Sequence, residues 1–369
     1  MLVAMPAITK PVDPDGLDPA LRQLAPRIAS RAETLDEDGA FPRDDFADLA
    51  AIGALAMPFE QQRPDVLLNT LRIVGHASLP LGRLLEGHVN AAVLISRYGT
   101  ASQQAAALRH ARAGEVFGVW NTEGQDGLRL VPAADGFVLE GRKTFASGAG
   151  FLMHPLVTAR TDNGAAMMVL PRLDHRRRAD LSQWRAHGMR ASATGSFDFT
   201  GLAVRAQDII GADGDYHRQP VFSAGAWRFL AVQLGGVERL VDEACRHLRE
   251  TGRAADPHQV ARIGQAATAA ESARLWVERA ADLADAQDDP QRTVAYVNLA
   301  RGAVERCALD VLELVHRSIG LAAFLRSHAV ERISRDLATY LRQPAPGRAL
   351  SEGGSYVLGC DSAAGDLWR

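Results

Sequence analysis

The hydrophobic pattern changes period twice along the chain, and that change limits the fold more than any single motif does. From about residue 17 to 112 apolar residues recur at helical spacing. Leu21, Leu24 and Ile28 follow an Asp18-Pro19 start, and Phe46, Leu49, Ile52 and Leu55 recur every three residues after Phe41-Pro42. Two further helices are predicted at about 65–95 and 101–112, divided by Gly99 and a Thr100 cap. From about 118 to 211 the pattern alternates instead, which places one face of a pleated strand against a core. Asp135-Gly136 marks a tight turn, and strands are predicted at 137–145, 156–159, 166–170 and 196–199. The helical period then returns in Ala-rich segments at about 223–250, 258–287, 290–320 and 328–341, with breaks at Asp256-Pro257 and Asp288-Asp289-Pro290. The tail, 342–369, contains prolines and many Gly and Ser residues and reads as extended.

The expected class is therefore α+β, mainly α. An N-terminal all-α domain spans 1–116, a β-barrel-like domain spans 117–212, and a C-terminal four-helix bundle with its tail spans 213–369. A formal net charge of -3 supplies no global attraction to nucleic acid or anionic lipid, so neither is an expected partner. No apolar run approaches the roughly 18 residues that span a bilayer, and the three cysteines, Cys245, Cys307 and Cys360, suit reduced thiols, so a cytoplasmic location is expected. Zinc-type Cys/His spacing, a Walker loop and GxGxxG do not occur, and no metal is expected. The basic run from His175 to Arg178 reads as a solvated loop.

Three strings in the alternating region resemble acyl-CoA dehydrogenases. Trp120-Asn121-Thr122-Glu123 resembles the family's Thr-Glu segment, which lies against a flavin ring. The run from Leu139 to Ala149, containing Lys143-Thr144-Phe145-Ala146-Ser147, is similar to the family's G-x-K-x-[WF]-[IA]-[ST] strand. The run from His187 to Ser196 resembles its G-x-R-x-[ST] stretch, and Val330-Glu331-Arg332-Ile333-Ser334-Arg335-Asp336 resembles its [VL]-E-[RK]-x-x-R-D signature. The resemblance implies an acyl-CoA dehydrogenase-like fold, an FAD cofactor with FMN as the alternative, a small-molecule substrate such as an acyl-CoA, and a homodimer or homotetramer. It implies that Phe145 flanks the isoalloxazine, that Ser147 bonds near N5, and that Trp120, Asn121, Thr122 and Ala146 complete the cradle. An isoalloxazine needs such an apolar wall and a few donors to tune its reduction.

Other family features are altered. The base that removes the acyl α-proton should lie eight residues after Asp336, where Pro344 stands, and a second family position falls near 226–228, yet no Asp or Glu occurs from Tyr216 to Gly236. Glu352 is the next acid along the tail. The R-x-x-F-G segment that clasps a neighbouring subunit's FAD falls at Arg253 without its Phe-Gly pair. The Q-x-x-G-G-x-G-[YF] stretch keeps Gly320 and Phe324 and has Arg317 in place of Gln. Arg253, Arg317 and Gly320 are therefore the expected phosphate-side contacts. Monooxygenases of this fold dispense with the glutamate and carry a histidine on the helix corresponding to 82–95, which makes His88 the titratable candidate, with Asn121 as a further catalytic group. Three readings follow: a flavin-dependent oxidoreductase acting on an acyl thioester, a flavin-dependent monooxygenase, and a catalytically silent binding protein.

Overall fold

The computed structural model describes residues 13–61, 63–173, 178–286 and 288–368. Six helices come first: α1 (Pro14–Asp38), α2 (Arg43–Ala51), α3 (Met57–Glu60), α4 (Pro64–Ala77), α5 (Leu79–Tyr98) and α6 (Ala101–Arg112). Nine strands follow: β1 (Phe117–Trp120), β2 (Glu123–Ala133), β3 (Gly136–Ala146), β4 (His154–Arg160), β5 (Ala166–Val169), β6 (Ala179–Asp180), β7 (Gly195–Asp198), β8 (Leu202–Val204) and β9 (Ile209–Ile210). The chain then returns to helix as α7 (Val221–Ala224), α8 (Trp227–Glu250), α9 (Pro257–Ala286), α10 (Pro290–Ile319), α11 (Ala329–Tyr340) and α12 (Pro346–Gly359).

Local chemistry explains the divisions. The helix expected at 65–95 is two helices, because Ser78 is extended at φ −158°, caps α5 by accepting from the Leu81 N–H, and is followed by Pro80 in the first turn. Thr100 and Gln103 form a reciprocal capping box on α6, and Asp289 accepts from the Gln291 and Arg292 N–H groups to start α10. The tail expected to be extended contains α12, which starts at Pro346 directly after Ala345 in the left-handed region. Of the basic run, 175–177 lie outside the described residues, and Arg178 donates to the Thr200 carbonyl.

The sheet is mixed, with the path β6-β7-β3-β2-β4-β5-β9; β1 joins β4 in parallel and β8 joins β3. Four of these strands were expected. Those missed are mostly short or irregular: β6 and β9 have two residues each, and β2 shifts register between Glu123 and Leu128.

Helix α4 crosses α8 where both backbones lack side chains. A Cβ on Gly75 would sit 2.4 Å from the Val232 carbonyl oxygen, and one on Gly235 would sit 2.1 Å from that of Arg72. The VERISRD motif joins all three regions. Arg335, 12% exposed, pairs with Asp36 of α1 at 2.7 Å and Glu331 at 2.6 Å, and donates to the His187 carbonyl at 3.0 Å. Asp336 accepts from the Met189 N–H at 2.6 Å, and Gly188 lies so close to α11 that a Cβ would meet the Arg335 carbonyl oxygen at 2.1 Å.

Burial pushes the Asp336 carboxyl up to about 7. An acid whose folded value exceeds its unfolded value holds its proton in the native state, so its contribution to stability falls as pH rises from about 4 to about 7. Asp336→Asn keeps an acceptor for the Met189 N–H and removes this titration. Chemical denaturation across that window should show wild type losing stability relative to the variant by roughly 1.4 kcal/mol per pH unit at most; parallel profiles would mean that Asp336 is ionised throughout.

Candidate active site

Three non-glycine residues of the β-domain have positive φ, Phe145, Met189 and Ala193, and Phe145 is the bulkiest of them. Its φ is +50°, a conformation disfavoured for a bulky L residue, and the β3–β7 register shifts between Lys143 and Ala146. This turn leaves the Phe145 ring 66% exposed while Ala146 is fully buried. The ring stands edge-on to Trp184 at 6.5 Å, and the Trp184 indole donates to the Met189 carbonyl. An aromatic surface has therefore been turned outward at a strained position and is held by a second aromatic.

Ser147 lies next to this wall. Its carbonyl accepts from the Trp120 indole at 2.9 Å, and its hydroxyl shares a hydrogen bond with Thr194 at 3.2 Å. Thr194 in turn shares a hydrogen bond with Ser192. Thr122 is exposed, and its carbonyl accepts from the Thr144 N–H, which joins the Trp120–Glu123 segment to the Phe145 strand.

Lys143 holds that segment in place, a role that the sequence reading did not assign. It is completely buried, and its Nζ donates to the Asn121 carbonyl (3.1 Å), Thr158 Oγ1 (3.0 Å) and Glu123 Oε1 (3.3 Å). Burial lowers its pKa and Glu123 opposes that shift. The available signal was its place in the Lys-Thr-Phe string, since a lysine pointing into a strand core must be paired.

Thr194, Ala193, Trp184 and Leu181 line a cavity of about 500 Å³, with Arg190 and Arg326 among its basic residues. An aromatic wall, a hydroxyl and a basic cavity adjoin one another, so the residues present fit an isoalloxazine with a phosphate on its side chain.

Several expected site residues are placed elsewhere. His88 is fully buried: Nε2 bonds the Leu55 carbonyl, Nδ1 accepts from the Phe117 N–H, and burial pulls its pKa down to about 4. With both nitrogens engaged by main chain, His88 is a neutral structural residue rather than a catalytic one. The Asn121 oxygen accepts from Thr158 at 2.7 Å, so this side chain shapes the cradle beside Lys143 instead of presenting a free acceptor. Arg253 is exposed between α8 and α9, and Arg317 is exposed on α10 and paired with Glu313 at 2.8 Å. Gly320 ends α10 at φ +80°. None of these three lines the 500 Å³ cavity.

Pro344 accepts from Arg301 through its carbonyl at 2.6 Å, and Glu352 lies on α12, bonded to Asn298 of α10 at 2.9 Å. Among the described residues one trio could hold a metal ion, His110, Glu115 and His154. Both imidazoles approach the same Glu115 oxygen, at 2.9 and 2.5 Å, whereas ligands of one tetrahedral ion sit roughly 3.3 Å apart at bond lengths of about 2.0 Å. The trio is a hydrogen-bonded clasp between α6 and β4.

Residues 216–341 match the family model described as acyl-CoA dehydrogenase, C-terminal domain. Over that stretch the chain carries an acyl-CoA dehydrogenase C-terminal domain, and its relatives include proteins named as acyl-CoA dehydrogenases. It is 28% identical to cyclohex-1-ene-1-carbonyl-CoA dehydrogenase of Geobacter metallireducens over 86% of this chain and 89% of that protein. It is 27% identical to L-evernosamine nitrososynthase of a Micromonospora species over 86% of this chain and 83% of that one. Its fold also matches TdsC of a Paenibacillus species, a dibenzothiophene monooxygenase solved with FMN and indole, at a TM-score of 0.85 and 18% identity over 96% of this chain and 100% of that one. The superfamily thus includes both dehydrogenases and oxygen-using enzymes among the relatives of this chain.

Two outcomes test the placement of these residues. Phe145→Ala and Ser147→Ala should each weaken FMN binding by about tenfold, equivalent to roughly 1.4 kcal/mol, in a fluorescence-quenching titration; wild-type affinity in both would remove the cradle from this strand. His88→Ala should lower stability by about 2–4 kcal/mol in denaturant melts and leave FMN affinity within twofold, and the reverse pattern would restore a role at the site.

Proposed function

We propose that the chain is a flavin-dependent oxidoreductase of the oxygen-using type, taking FMN and a small organic substrate. The observation that carries this reading is the absence of a carboxylate from both base positions of the superfamily, with Pro344 at one and no acid from Tyr216 to Gly236 at the other. Removing an acyl α-proton requires a base within hydrogen-bonding reach. Oxygenation by a reduced flavin has no such requirement. The nitrososynthase and monooxygenase relatives support the same choice.

A bound flavin supplies the redox chemistry. The chain supplies its setting: Phe145 walls one side of the ring, the Ser147 hydroxyl borders it, and Trp120 and Lys143 fix the two segments that carry these contacts. FMN is favoured over FAD because Arg253 and Arg317, the residues expected to reach a pyrophosphate, lie outside the cavity, and the Phe-Gly pair of the clasping segment is missing. The turn after α10 exposes Leu321 (77%), Phe324 (60%) and Leu325 (50%), which supports a homo-oligomer that covers them.

The acyl-thioester reading keeps the support of the Geobacter relative, and one experiment separates the two. FMN-loaded protein mixed anaerobically with acyl-CoAs of short to medium chain length should keep its visible flavin band unchanged, and the chemically reduced protein should consume O₂ when air is admitted. Bleaching by any acyl-CoA would establish dehydrogenation and overturn the proposal.

A further inference from the structure

We infer that the substrate carries an oxyanion, a carboxylate or sulfinate group, which Arg228 binds; this rests on the reading above that the chain handles a small organic molecule. Helix α5 packs on β1, where Gly87 lies against Gly118 and Val119, and α8 packs on α5. Between them runs a chain of charged and polar side chains. Arg83 and the Asn90 amide both donate to Glu86, which is 3% exposed, and the Asn90 oxygen accepts from Arg228 Nε.

Glu86 is paired with Arg83, and among the described residues no carboxylate forms an ion pair with the half-buried Arg228, whose guanidinium lines a cavity. A half-buried guanidinium whose hydrogen-bond partner is a neutral amide keeps unused N–H donors, which suit an anionic partner from outside. Burial pulls the Arg228 guanidinium down to about 10, in keeping with the lack of an ion-pair partner. One phenol adds to these donors: the Tyr340 hydroxyl is buried without a hydrogen-bond partner. Tyr340 and Tyr216 both lie within electrostatic reach of Arg83 and Glu86. Unused donors and a guanidinium without a carboxylate partner together form a site for oxygen acceptors.

The cavity beside Arg228 limits the size of what binds. It holds about 270 Å³ and is bounded by Val93, Leu67, Ala224 and Trp227, with Ser96 adding a hydroxyl and Asp285 on its wall. An apolar wall and a guanidinium suit a short or aromatic carbon skeleton ending in an oxyanion. The same segment, 226–228, is where a branch of the superfamily would carry its carboxylate base. A cation there instead removes the charge that would repel an anionic substrate.

The test uses the full chain without added flavin and reads binding by thermal shift and calorimetry. Hexanoate, benzoate and benzenesulfinate should stabilise wild type, and hexanamide, benzamide and benzenesulfonamide should not. Arg228→Met should weaken the anions at least tenfold; Arg228→Lys should retain part of the affinity. Equal binding of the neutral amides, or an undiminished anion response in Arg228→Met, would overturn the inference, as would the absence of any anion response in wild type. If Arg228→Met does not fold, Arg228→Lys and Tyr340→Phe decide: each must weaken the anions at least threefold, and full retention in both counts against the site. FMN affinity measured in parallel keeps the two claims separate, because a protein that binds the anions but no flavin would contradict the proposed function and leave this inference standing.

Discussion

The structure depends on the ionic junction around Arg335. A single guanidinium, nearly buried, is shared by Asp36 at the end of α1, Glu331 one turn before it on α11 and the His187 carbonyl of the β-domain. A buried charge without partners is costly, so these three groups must stay together for any of them to remain in place. Asp336 extends the junction by accepting from Met189, and Met189 receives the Trp184 indole on its carbonyl. Trp184 is the aromatic that faces Phe145. A continuous set of contacts therefore runs from the C-terminal helices to the exposed ring of the candidate cradle, and the position of that ring is set by packing on all three regions.

The cradle shows the same economy on a smaller scale. Phe145 occupies a backbone region that costs energy, and the neighbouring contacts compensate: Ala146 is buried, Ser147 is held at both its carbonyl and its hydroxyl, and Lys143 is inserted into the core to hold the opposite segment. An exposed aromatic at a strained position is hard to explain by folding alone. A flat ligand that covers the ring accounts for both features, and Thr122 and the basic cavity beyond Thr194 border the same surface.

Much of this was legible in the sequence because it rests on periodicity and local capping. The two changes of period locate the sheet and the helical regions, and the breaks at Asp256-Pro257 and Asp289-Pro290 fall at the starts of α9 and α10. The Trp120, Phe145 and Ser147 strings were readable because the backbone itself is shaped there. The split at Ser78 was overlooked although Ser-Leu-Pro is a cap signal, and α12 was missed because Gly and Ser outweighed its helical spacing. His88 was misread for a different reason. A histidine on an apolar face gives the same pattern whether it looks into a cavity or bonds two main-chain groups, and only the meeting of α5 with Leu55 and Phe117 distinguishes them. Arg228 was equally invisible, since its meaning lies in which partners the tertiary fold supplies or withholds.

The chain combines a surface suited to a flavin with the absence of an acid at both positions where dehydrogenases of this fold carry their base, and this combination is the central claim. The most direct measurement is a visible absorption spectrum of the full chain after incubation with FMN and removal of unbound ligand. The account predicts that flavin absorbance co-elutes with the protein at about one equivalent per chain, as one cradle per chain requires. A protein that emerges colourless from FMN and from FAD alike would contradict it, and would leave the exposed Phe145 ring without the ligand that explains it.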